Sequence, residues 1–189
     1  AYSGIGGGVD DGVKFVESKT MTEICALGYG EGGFNKLGRV DVDGRVKDQY
    51  SLDEYEGVLR VVTTTGGTKY IGGEITVKDG IIETDGDSIA VNAGTNAALF
   101  CIDLSSFEII GEVRDFAPDG ETVESVRFDG TNAYVCTAVV ITFTDPVYFF
   151  DLSDMSNITY TDTGVIEGYS SSLINFGDGL LLGIGFGEN

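Results

Sequence analysis

The sequence predicts an all-β fold built from repeated four-stranded antiparallel units, and three observations support this prediction. The tripeptide Asp-Leu-Ser occurs at 103–105 and again at 151–153, and the same 48-residue offset separates Phe128 from Phe176. Short runs rich in Val, Ile, Thr, Tyr and Phe are separated by Gly, Asp, Asn and Ser, as in strands joined by turns. No stretch keeps the i, i+3, i+4, i+7 apolar spacing of an amphipathic helix. Four short antiparallel strands at a period in the forties are typical of one blade of a β-propeller.

The apolar runs place the strands in chain order. The predicted strands are 12–18, 23–29, 35–42, 45–50, 58–64, 75–78, 81–84, 88–91, 97–103, 108–113, 125–128, 133–137, 140–143, 147–151, 158–161, 172–176 and 180–184. Asp43-Gly44, Asp79-Gly80 and Asp129-Gly130 are dipeptides that tolerate positive φ, so each is predicted to form a tight hairpin turn. The glycine-rich segments 4–8 and 183–187 are predicted to be flexible or closely packed strand ends, because neither opens a helix that could hold a phosphate.

The repeat fixes the domain organisation. The unit 125–161 contains four hairpin-connected strands, the preceding unit ends in the same way at 99–113, and the following unit restarts at 173. The chain is predicted to be a single domain or segment, 1–189, with a blade insertion at 66–96. About three to four units fit, whereas propellers close with about four to eight blades. We therefore expect a minimal ring or, as the favoured interpretation, a fragment of a larger propeller. A fragment would expose strand edges through which copies of the chain could associate.

The charge balance limits the possible partners. The chain has 31 Asp and Glu against 11 Lys and Arg, a formal net charge of -20. This charge repels nucleic-acid backbones, so we expect no nucleic-acid partner, and it favours cations or simple solubility. With no His in the chain, a Ser-His-Asp or Cys-His nucleophile system cannot be built from its residues. No apolar run reaches the length of about 20 residues that a membrane-spanning helix needs. No signal peptide is visible and the chain begins at Ala1, which predicts a mature or excised segment.

The three cysteines, Cys25, Cys101 and Cys136, each lie in an apolar, strand-like run. Their spacing contains no CxxC motif, so neither a metal site nor a redox site is indicated. We expect all three to be buried as small apolar side chains and not to form a disulfide.

Several motifs resemble a family of prokaryotic secreted proteins with a C-terminal β-propeller domain. The segment SLDEYEGVLRVVTT at 51–64 resembles that family's S-M-D-E-Y-x-G-x-L-R-V-A-T-T, and DPVYFFDLSD at 145–154 resembles its D-P-L-F-V-I-D-L-S-D-P. SVRF at 125–128 and GIG at 183–185 also match, so the resemblance runs in order from about 47 to 187. It implies a propeller fold and an extracellular or cell-surface location in a prokaryote. It implies no activity, because none is assigned to the family.

The resemblance also shows two departures. The family's P-G-F-S-x-Y-L-H-P corresponds to EGYSSSLIN at 167–175, where its Pro and His are missing, so any chemistry that relied on that His is lost here. Members of the family are usually longer than this chain, which favours a fragment.

Asp53 and Glu54, with Arg60 nearby, are the candidate catalytic residues. A carboxylate pair oriented by an arginine could perform acid–base chemistry or bind a cation. The structural interpretation, which we favour, is that Arg60 and Arg127 lie inside apolar strands and pair with neighbouring carboxylates between blades.

Asp41, Asp43 and Asp48 are the candidate metal ligands. Their segment faintly resembles an Asp-rich calcium loop, but the full spacing and the closing Glu are missing, and Asp43-Gly44 is better explained as a turn. Elsewhere, Asp103 and Asp151 end strands before Leu-Ser, which predicts Asx-turns and no ligand.

Three function hypotheses remain open from the sequence. The first is a non-catalytic extracellular propeller segment that acts as a scaffold or binds a protein or glycan partner, with no cofactor. The second is a glycan-active enzyme with paired carboxylates, since glycosidases need only two of them at a defined separation. The third is an acidic cation-binding module, for which calcium is the candidate ligand.

Overall fold

A computed structural model describes residues 1–10, 13–138, 144–167, 169–177 and 179–186. It is all-β, with one short 3₁₀ turn at Gln49–Ser51, and the predicted fold class is confirmed. The strands are β1 (Tyr2–Asp10), β2 (Val13–Gly30), β3 (Gly33–Asp43), β4 (Leu52–Tyr55), β5 (Val58–Ile71), β6 (Ile75–Lys78), β7 (Ile81–Thr84), β8 (Ile89–Asp103), β9 (Ile109–Arg114), β10 (Thr122–Asp129), β11 (Asn132–Ala138), β12 (Thr144–Asp151), β13 (Thr159–Glu167), β14 (Tyr169–Gly177) and β15 (Leu180–Phe186).

Two sets of four strands form complete antiparallel blades. The first blade has the order β4-β5-β8-β9 and the second the order β10-β11-β12-β13. Two further antiparallel strand pairs each contain only two of the four strands of a blade. One is β3 with residues 21–30 of β2, which we call the N-terminal half-blade, and the other is β14 with β15, which we call the C-terminal half-blade.

The blades and half-blades stack face to face. Val40 and Val42 of β3 pack against Val61 and Phe100 of the first blade. The largest apolar cluster lies between the two complete blades, where the Phe116 ring meets the Phe150 ring edge-on with centroids 4.9 Å apart. A smaller cluster, which includes Cys136, Val147 and Leu173, joins the second blade to the C-terminal half-blade. Each fully buried Phe, Leu or Val side chain contributes roughly 1.5–3 kcal/mol, so these faces hold the stack together.

The strands that begin each unit converge on one axis. The 3₁₀ turn directly before β4 contacts β10, and β10 contacts β14. Residues of these three segments, including Asp48, Arg127 and Ser172, line a shared cavity of about 190 Å³. First strands that meet at a common centre, with the later strands farther out, are the arrangement of propeller blades.

A β-ribbon projects from the first blade where the insertion is predicted at 66–96. β5 and β8 continue past the blade, with Thr68 paired to Asn92 and Ile71 paired to Ile89, and the hairpin β6–β7 connects them. The turn of this hairpin is the predicted Asp79-Gly80, and both residues have positive φ, 51° and 76°. β1 and the first half of β2 form a second ribbon beside it.

The two ribbons are joined by backbone pairing. Phe15–Lys19 of β2 pair with Ile71–Gly67 of β5, so the half-blade and the first blade are connected by a ladder outside the apolar stack. At this ladder a Cβ on Gly67 would collide with the carbonyl oxygen of Ser18, so the close approach of the two strands requires glycine.

Several strand predictions need correction. Residues 13–18 and 23–29 belong to one continuous strand, β2, and residues 89–91 and 97–103 both belong to β8, while residue 12 lies outside the described residues. The strand predicted at 45–50 is wrong, because Asp48 caps the 3₁₀ turn by accepting the Tyr50 backbone N–H at 2.9 Å. The glycine-rich segment 4–8 is the interior of β1. The strand predicted at 140–143 lies outside the described residues.

Candidate functional site

Arg60 connects the two complete blades. It is only 1% exposed, and its Nη2 forms an ion pair with the cross-strand Asp53 while its Nη1 donates to the Gly130 carbonyl in the second blade at 2.5 Å. Its guanidinium also lies 4.9 Å from the centroids of the Tyr55 and Phe128 rings. The buried cation has partners in both blades at its Nη atoms, while its Nε has no hydrogen-bond partner among the described residues. Arg60 therefore holds the two blades together, in agreement with the structural interpretation.

Arg127 does not show the carboxylate partner that the structural interpretation predicts for it. No carboxylate among the described residues forms an ion pair with it, and its buried Nε has no hydrogen-bond partner there. Its position on β10, at the shared central cavity, is the physical difference from Arg60, which lies between blades.

The two candidate catalytic carboxylates do not converge. Asp53 is held by Arg60, whereas the Glu54 carboxylate accepts the Gly57 backbone N–H at 2.8 Å and closes the turn between β4 and β5. As successive residues of one strand they point to opposite faces of the sheet. The structure therefore gives each of them a separate structural partner.

The three candidate metal ligands are also separated by their partners. Asp43 forms an ion pair with Arg114, and Asp48 caps the 3₁₀ turn. Asp41 accepts a hydrogen bond from Tyr2. The pKa of Tyr2 is raised, first because its hydroxyl is partly desolvated and second because the Asp41 carboxylate is close to it. Within the part of the chain that the structure describes, no group of three Cys, Asp or Glu side chains is arranged to hold a metal ion.

A polar cleft of about 400 Å³ opens at the base of the two ribbons. Its lining comes from the crossing of β2 and β5, from residues 93–96 of β8, from the ends of β3 and β9, and from the connection between β9 and β10. Its charged lining residues are Glu17, Lys19, Asp43, Arg114, Asp115 and Asp119. Both signs of charge and several backbone groups thus face one concave surface.

Arg114 organises one wall of this cleft. It bridges Asp43 of β3 and Glu112 of β9, and its guanidinium lies 5.0 Å from the centroid of the Phe100 ring. The hydrogen bonds to Glu112 and Asp43 raise the pKa of Arg114, so it remains a cation at any physiological pH. The residue links the half-blade to the first blade and also presents fixed positive charge to the cleft.

Asn96 makes the opposite wall rigid. This buried side chain donates to the Ala117 carbonyl at 2.8 Å and accepts the backbone N–H groups of Ala97 and Ala117 at 2.7 and 3.0 Å. The connection between the two complete blades is thereby fixed to β8. A buried amide with these bonds satisfied holds a single position.

Sequence reasoning missed this cleft because its residues come from distant segments. The sequence did contain a signal for this cleft at two strand ends. Asp43-Gly44 and Arg114-Asp115 each connect the last strand of one unit to the first strand of the next. Gly44 and Asp115 both have positive φ, 92° and 52°, which indicates matched turns at equivalent places.

Two buried carboxylates at the start of the second blade were also missed. Glu121 accepts a hydrogen bond from Thr137, and Glu124 pairs with Lys47 and accepts the Thr122 hydroxyl at 2.8 Å. Burial, with Glu121 as a further cause, raises the pKa of the neighbouring Tyr148 to about 12. These contacts connect the segment before β4 to the second blade.

The predicted Asx-turns are confirmed. Asp103 Oδ1 accepts the Ser105 backbone N–H at 2.7 Å, and Asp151 Oδ1 accepts the Ser153 backbone N–H at 2.9 Å. Hydrogen bonds from the following serine lower the pKa of both carboxyl groups. The repeated Asp-Leu-Ser is therefore a hairpin corner in each blade.

The cysteines follow the prediction in two of three cases. Cys101 and Cys136 are buried, and burial raises the pKa of the Cys101 thiol to about 11. Cys25 is exposed, contrary to prediction, because it lies on the outer face of β2, where its thiol donates to Glu23 Oε1 at 3.4 Å. No disulfide links any two of the three cysteines.

Fold and site together define a protein of the β-propeller class. The chain belongs to the beta propeller domain family, whose model matches residues 9–189. An uncharacterized protein of Archaeoglobus fulgidus is 30% identical over 148 residues, which cover 78% of this chain and 19% of that protein. An uncharacterized protein of Methanocaldococcus jannaschii is 29% identical over 144 residues, with 76% and 19% covered.

The chain thus spans about one fifth of the length of the curated relatives it matches. No solved structure matches it. Among the described residues, no helix has the length and apolar character needed to cross a membrane.

Proposed function

We propose that this chain is a non-catalytic, extracellular β-propeller segment that binds a polar partner, a glycan or a protein surface. The observation that carries the proposal is the cleft at the base of the ribbons, where Lys19 and Arg114 face the same space as Asp43, Asp115 and Asp119. Fixed charges of both signs in a concave, rigid wall suit a ligand with many hydroxyl or amide groups. A binding or scaffold role also agrees with membership of the propeller family.

The contacts of the candidate acids support a binding role over hydrolysis. Each of these acids has a structural partner. Asp53 forms an ion pair with Arg60, Glu54 accepts the Gly57 backbone N–H, and Asp43 forms an ion pair with Arg114. A glycosidase requires two carboxylates at a defined separation across one substrate, whereas Asp53 and Glu54 point to opposite faces of their sheet.

An extracellular location is part of the proposal. It is supported by the motifs shared with secreted prokaryotic proteins, at 51–64 and 145–154, and by the net charge of -20, which favours solubility. Accessibility of the native protein to a protease added to intact cells would test it. Complete protection until the cells are lysed would contradict an extracellular location.

The binding role can be tested on a glycan array and a panel of nitrophenyl glycosides. We expect retention of acidic-sugar or neutral glycans without turnover of any glycoside. Lys19→Ala should weaken retention at least fivefold, whereas Lys36→Ala, on β3 and outside the cleft, should leave it unchanged. Turnover that Asp115→Asn or Asp119→Asn abolishes would establish the enzymatic alternative instead.

A calcium role is tested separately by thermal unfolding. A cation that binds only the native state raises the melting temperature beyond the effect of ionic strength. Equal melting curves in millimolar CaCl₂ and in NaCl of matched ionic strength would remove calcium as a ligand.

A further inference from the structure

The second blade carries an Asn-x-Thr motif at its rim. Residues 152–158, which we call the outer corner of the second blade, connect its third strand, β12, to its fourth, β13. Asn157-Ile158-Thr159 closes this connection. Asn followed by any residue except Pro and then by Ser or Thr is the acceptor motif for N-linked glycans, and the five other Asn residues before residue 180 lack it. Because the motif is short, its place in the fold decides whether it is a usable acceptor.

The three residues of the motif are divided between the interior and the surface. Ile158 packs against the large apolar cluster between the two complete blades. Asn157 and Thr159, on either side of it, are both exposed. The middle residue therefore anchors the motif, while the acceptor amide and the hydroxyl that completes the motif remain in solvent.

A tight turn presents the Asn157 amide. Asp154 Oδ1 accepts the Ser156 backbone N–H at 3.1 Å, and the Asp154 carbonyl accepts the Asn157 backbone N–H at 3.0 Å. Among the described residues, no hydrogen bond engages the side-chain amide of Asn157. The backbone is thus fixed by the turn, and no contact has to break before the amide nitrogen reacts.

The first blade has a corner of the same kind, which provides a comparison. Residues 104–108 connect its third strand, β8, to its fourth, β9. The Phe107 ring lies against Gly38 of β3, as the Met155 carbonyl lies against Gly111 of β9 in the second blade. Each corner therefore packs against a glycine in the fourth strand of the preceding unit.

The corner of the first blade is exposed although strands of a neighbouring unit lie on each side of that blade. The Asp103 backbone N–H donates to the Glu108 carbonyl at 3.0 Å, so Glu108 holds the place of Thr159, which pairs with Asp151. Glu108 is exposed. Exposure of this position is therefore a property of the rim of a blade that is flanked on both sides.

We propose that Asn157 carries an N-linked glycan. In the transfer, Asn157 Nδ2 attacks the anomeric carbon of an oligosaccharide that is joined through phosphate to a lipid carrier. The new C–N bond replaces the C–O bond to phosphate, one amide proton is lost and the lipid phosphate leaves, so no oxidant or reductant is needed. The inference rests on the extracellular location in the proposed function, because this acceptor motif is used in secreted proteins.

A glycan at this corner leaves the polar cleft open. The corner lies where a fourth strand begins, whereas Arg114 and Asp115 of the cleft lie where the fourth strand of the first blade ends. Successive blades of a repeat keep the same strand directions. The glycan and the partner in the cleft would therefore lie at opposite ends of the fourth strands.

The test is the mass of the peptide that contains the motif, in protein isolated from its own cells. Digestion before each Asp releases residues 154–161, DMSNITYT, in which Asn157 is the only Asn. We expect nearly all of this peptide to carry the added mass of several sugar residues. Recovery of the unmodified peptide as the main form would overturn the inference. If protease added to intact cells still cuts that unmodified protein, the extracellular location stands and only the glycan is ruled out.

Matched variants produced in the same cells assign the sugar to Asn157. Asn157→Gln and Thr159→Ala should each abolish the added mass, because the first removes the acceptor nitrogen and the second the hydroxyl of the motif. Thr159→Ser keeps that hydroxyl and should stay modified. Thr161→Ala changes an exposed threonine of the same strand outside the motif and should also stay modified. Added mass that survives Asn157→Gln lies on a serine or threonine and contradicts the proposal.

A binding measurement separates the glycan from the proposed function. Asn157→Gln changes an exposed side chain outside the cleft and should leave retention on the glycan array unchanged. Lys19→Ala should weaken retention and leave the mass of the 154–161 peptide unchanged. Loss of retention in a folded Asn157→Gln variant would place the glycan at the binding site and contradict the separation of the two.

Discussion

At the scale of single residues, Arg60 shows how this chain uses charge in its interior. The sequence shows an Arg inside an apolar strand with Asp53 seven residues earlier, which is enough to predict an ion pair. It does not show that the second partner is a carbonyl of the next blade, Gly130, or that two aromatic rings flank the cation. Those contacts depend on how blades stack, which local spacing does not encode.

We predict that Asp53→Ala destabilises the chain by about 2–3 kcal/mol, because it leaves the buried Arg60 cation without its carboxylate. This loss of stability is smaller than that expected for a fully buried ion pair, because the Asp53 side chain is 36% exposed. Urea unfolding followed by circular dichroism would measure the change. Glu54→Gln keeps an acceptor for the Gly57 N–H and should lose less than about 0.5 kcal/mol.

The Asx-turn aspartates should make stability depend on acid pH. Hydrogen bonds from serine lower the folded-state pKa of Asp103, Asp151 and Asp154 below the ordinary Asp value. Their stabilising effect is therefore fully present above the unfolded-state pKa and is lost as pH falls through the folded-state value. We expect the unfolding midpoint in urea to fall between about pH 4.5 and 3. Asp103→Asn should flatten that dependence, and an unchanged slope would contradict this role.

At the scale of elements, the sequence predicted strand positions well where a strand keeps the same partners along its length. β9, β10, β11 and β15 overlap predicted strands, because each is a short alternating or apolar segment bounded by turn residues, whereas β4 was not predicted. β2 was divided in two since Lys19 to Thr22 is polar enough to read as a turn. The strand instead changes partners there, from β1 and β5 to β3, without turning. The cleft was missed for the same reason, since it forms where these partner changes occur.

The ribbon crossing offers a matched pair of glycine substitutions. Gly67→Ala should destabilise the chain by about 1–3 kcal/mol, because its Cβ meets the Ser18 carbonyl and the strands must separate. Gly6→Ala lies on an extended strand with nothing within 4 Å of the new Cβ, so it should be neutral or stabilising by up to about 1 kcal/mol. Thermal unfolding of the two variants would compare them, and equal effects would mean that the strand crossing does not constrain Gly67.

At the scale of the whole molecule, the strand pattern and the 48-residue repeat were enough to predict an all-β, propeller-like fold. The repeat predicts the blades, and two four-stranded blades are present. What the repeat could not show is which further strands pair as half-blades, because strand pairing is not encoded in the spacing of a repeat. The net charge of -20 also acts on the fold as a whole.

A net charge of -20 predicts that added salt stabilises the native state. Self-repulsion is stronger in the compact chain than in the expanded one, and salt with a Debye length of about 10 Å at 0.1 M screens it. We expect the melting temperature to rise by several degrees between 10 and 300 mM NaCl. A falling melting temperature would mean that attractive ion pairs such as Lys47–Glu124 outweigh the repulsion.

The ladder between the two ribbons has a consequence for how the stack comes apart. The seam between the N-terminal half-blade and the first blade is held twice, by apolar packing and by the backbone bonds of Phe15–Lys19 with Gly67–Ile71. The seam between the second blade and β14–β15 has a small apolar cluster around Leu173 and a hydrogen bond from Ser125 Oγ to the Ser170 carbonyl at 3.3 Å, but no backbone ladder among the described residues. Under mechanical or thermal stress we expect an isolated chain to separate first at the C-terminal seam. This separation would expose the apolar faces of β14 and β15 to solvent.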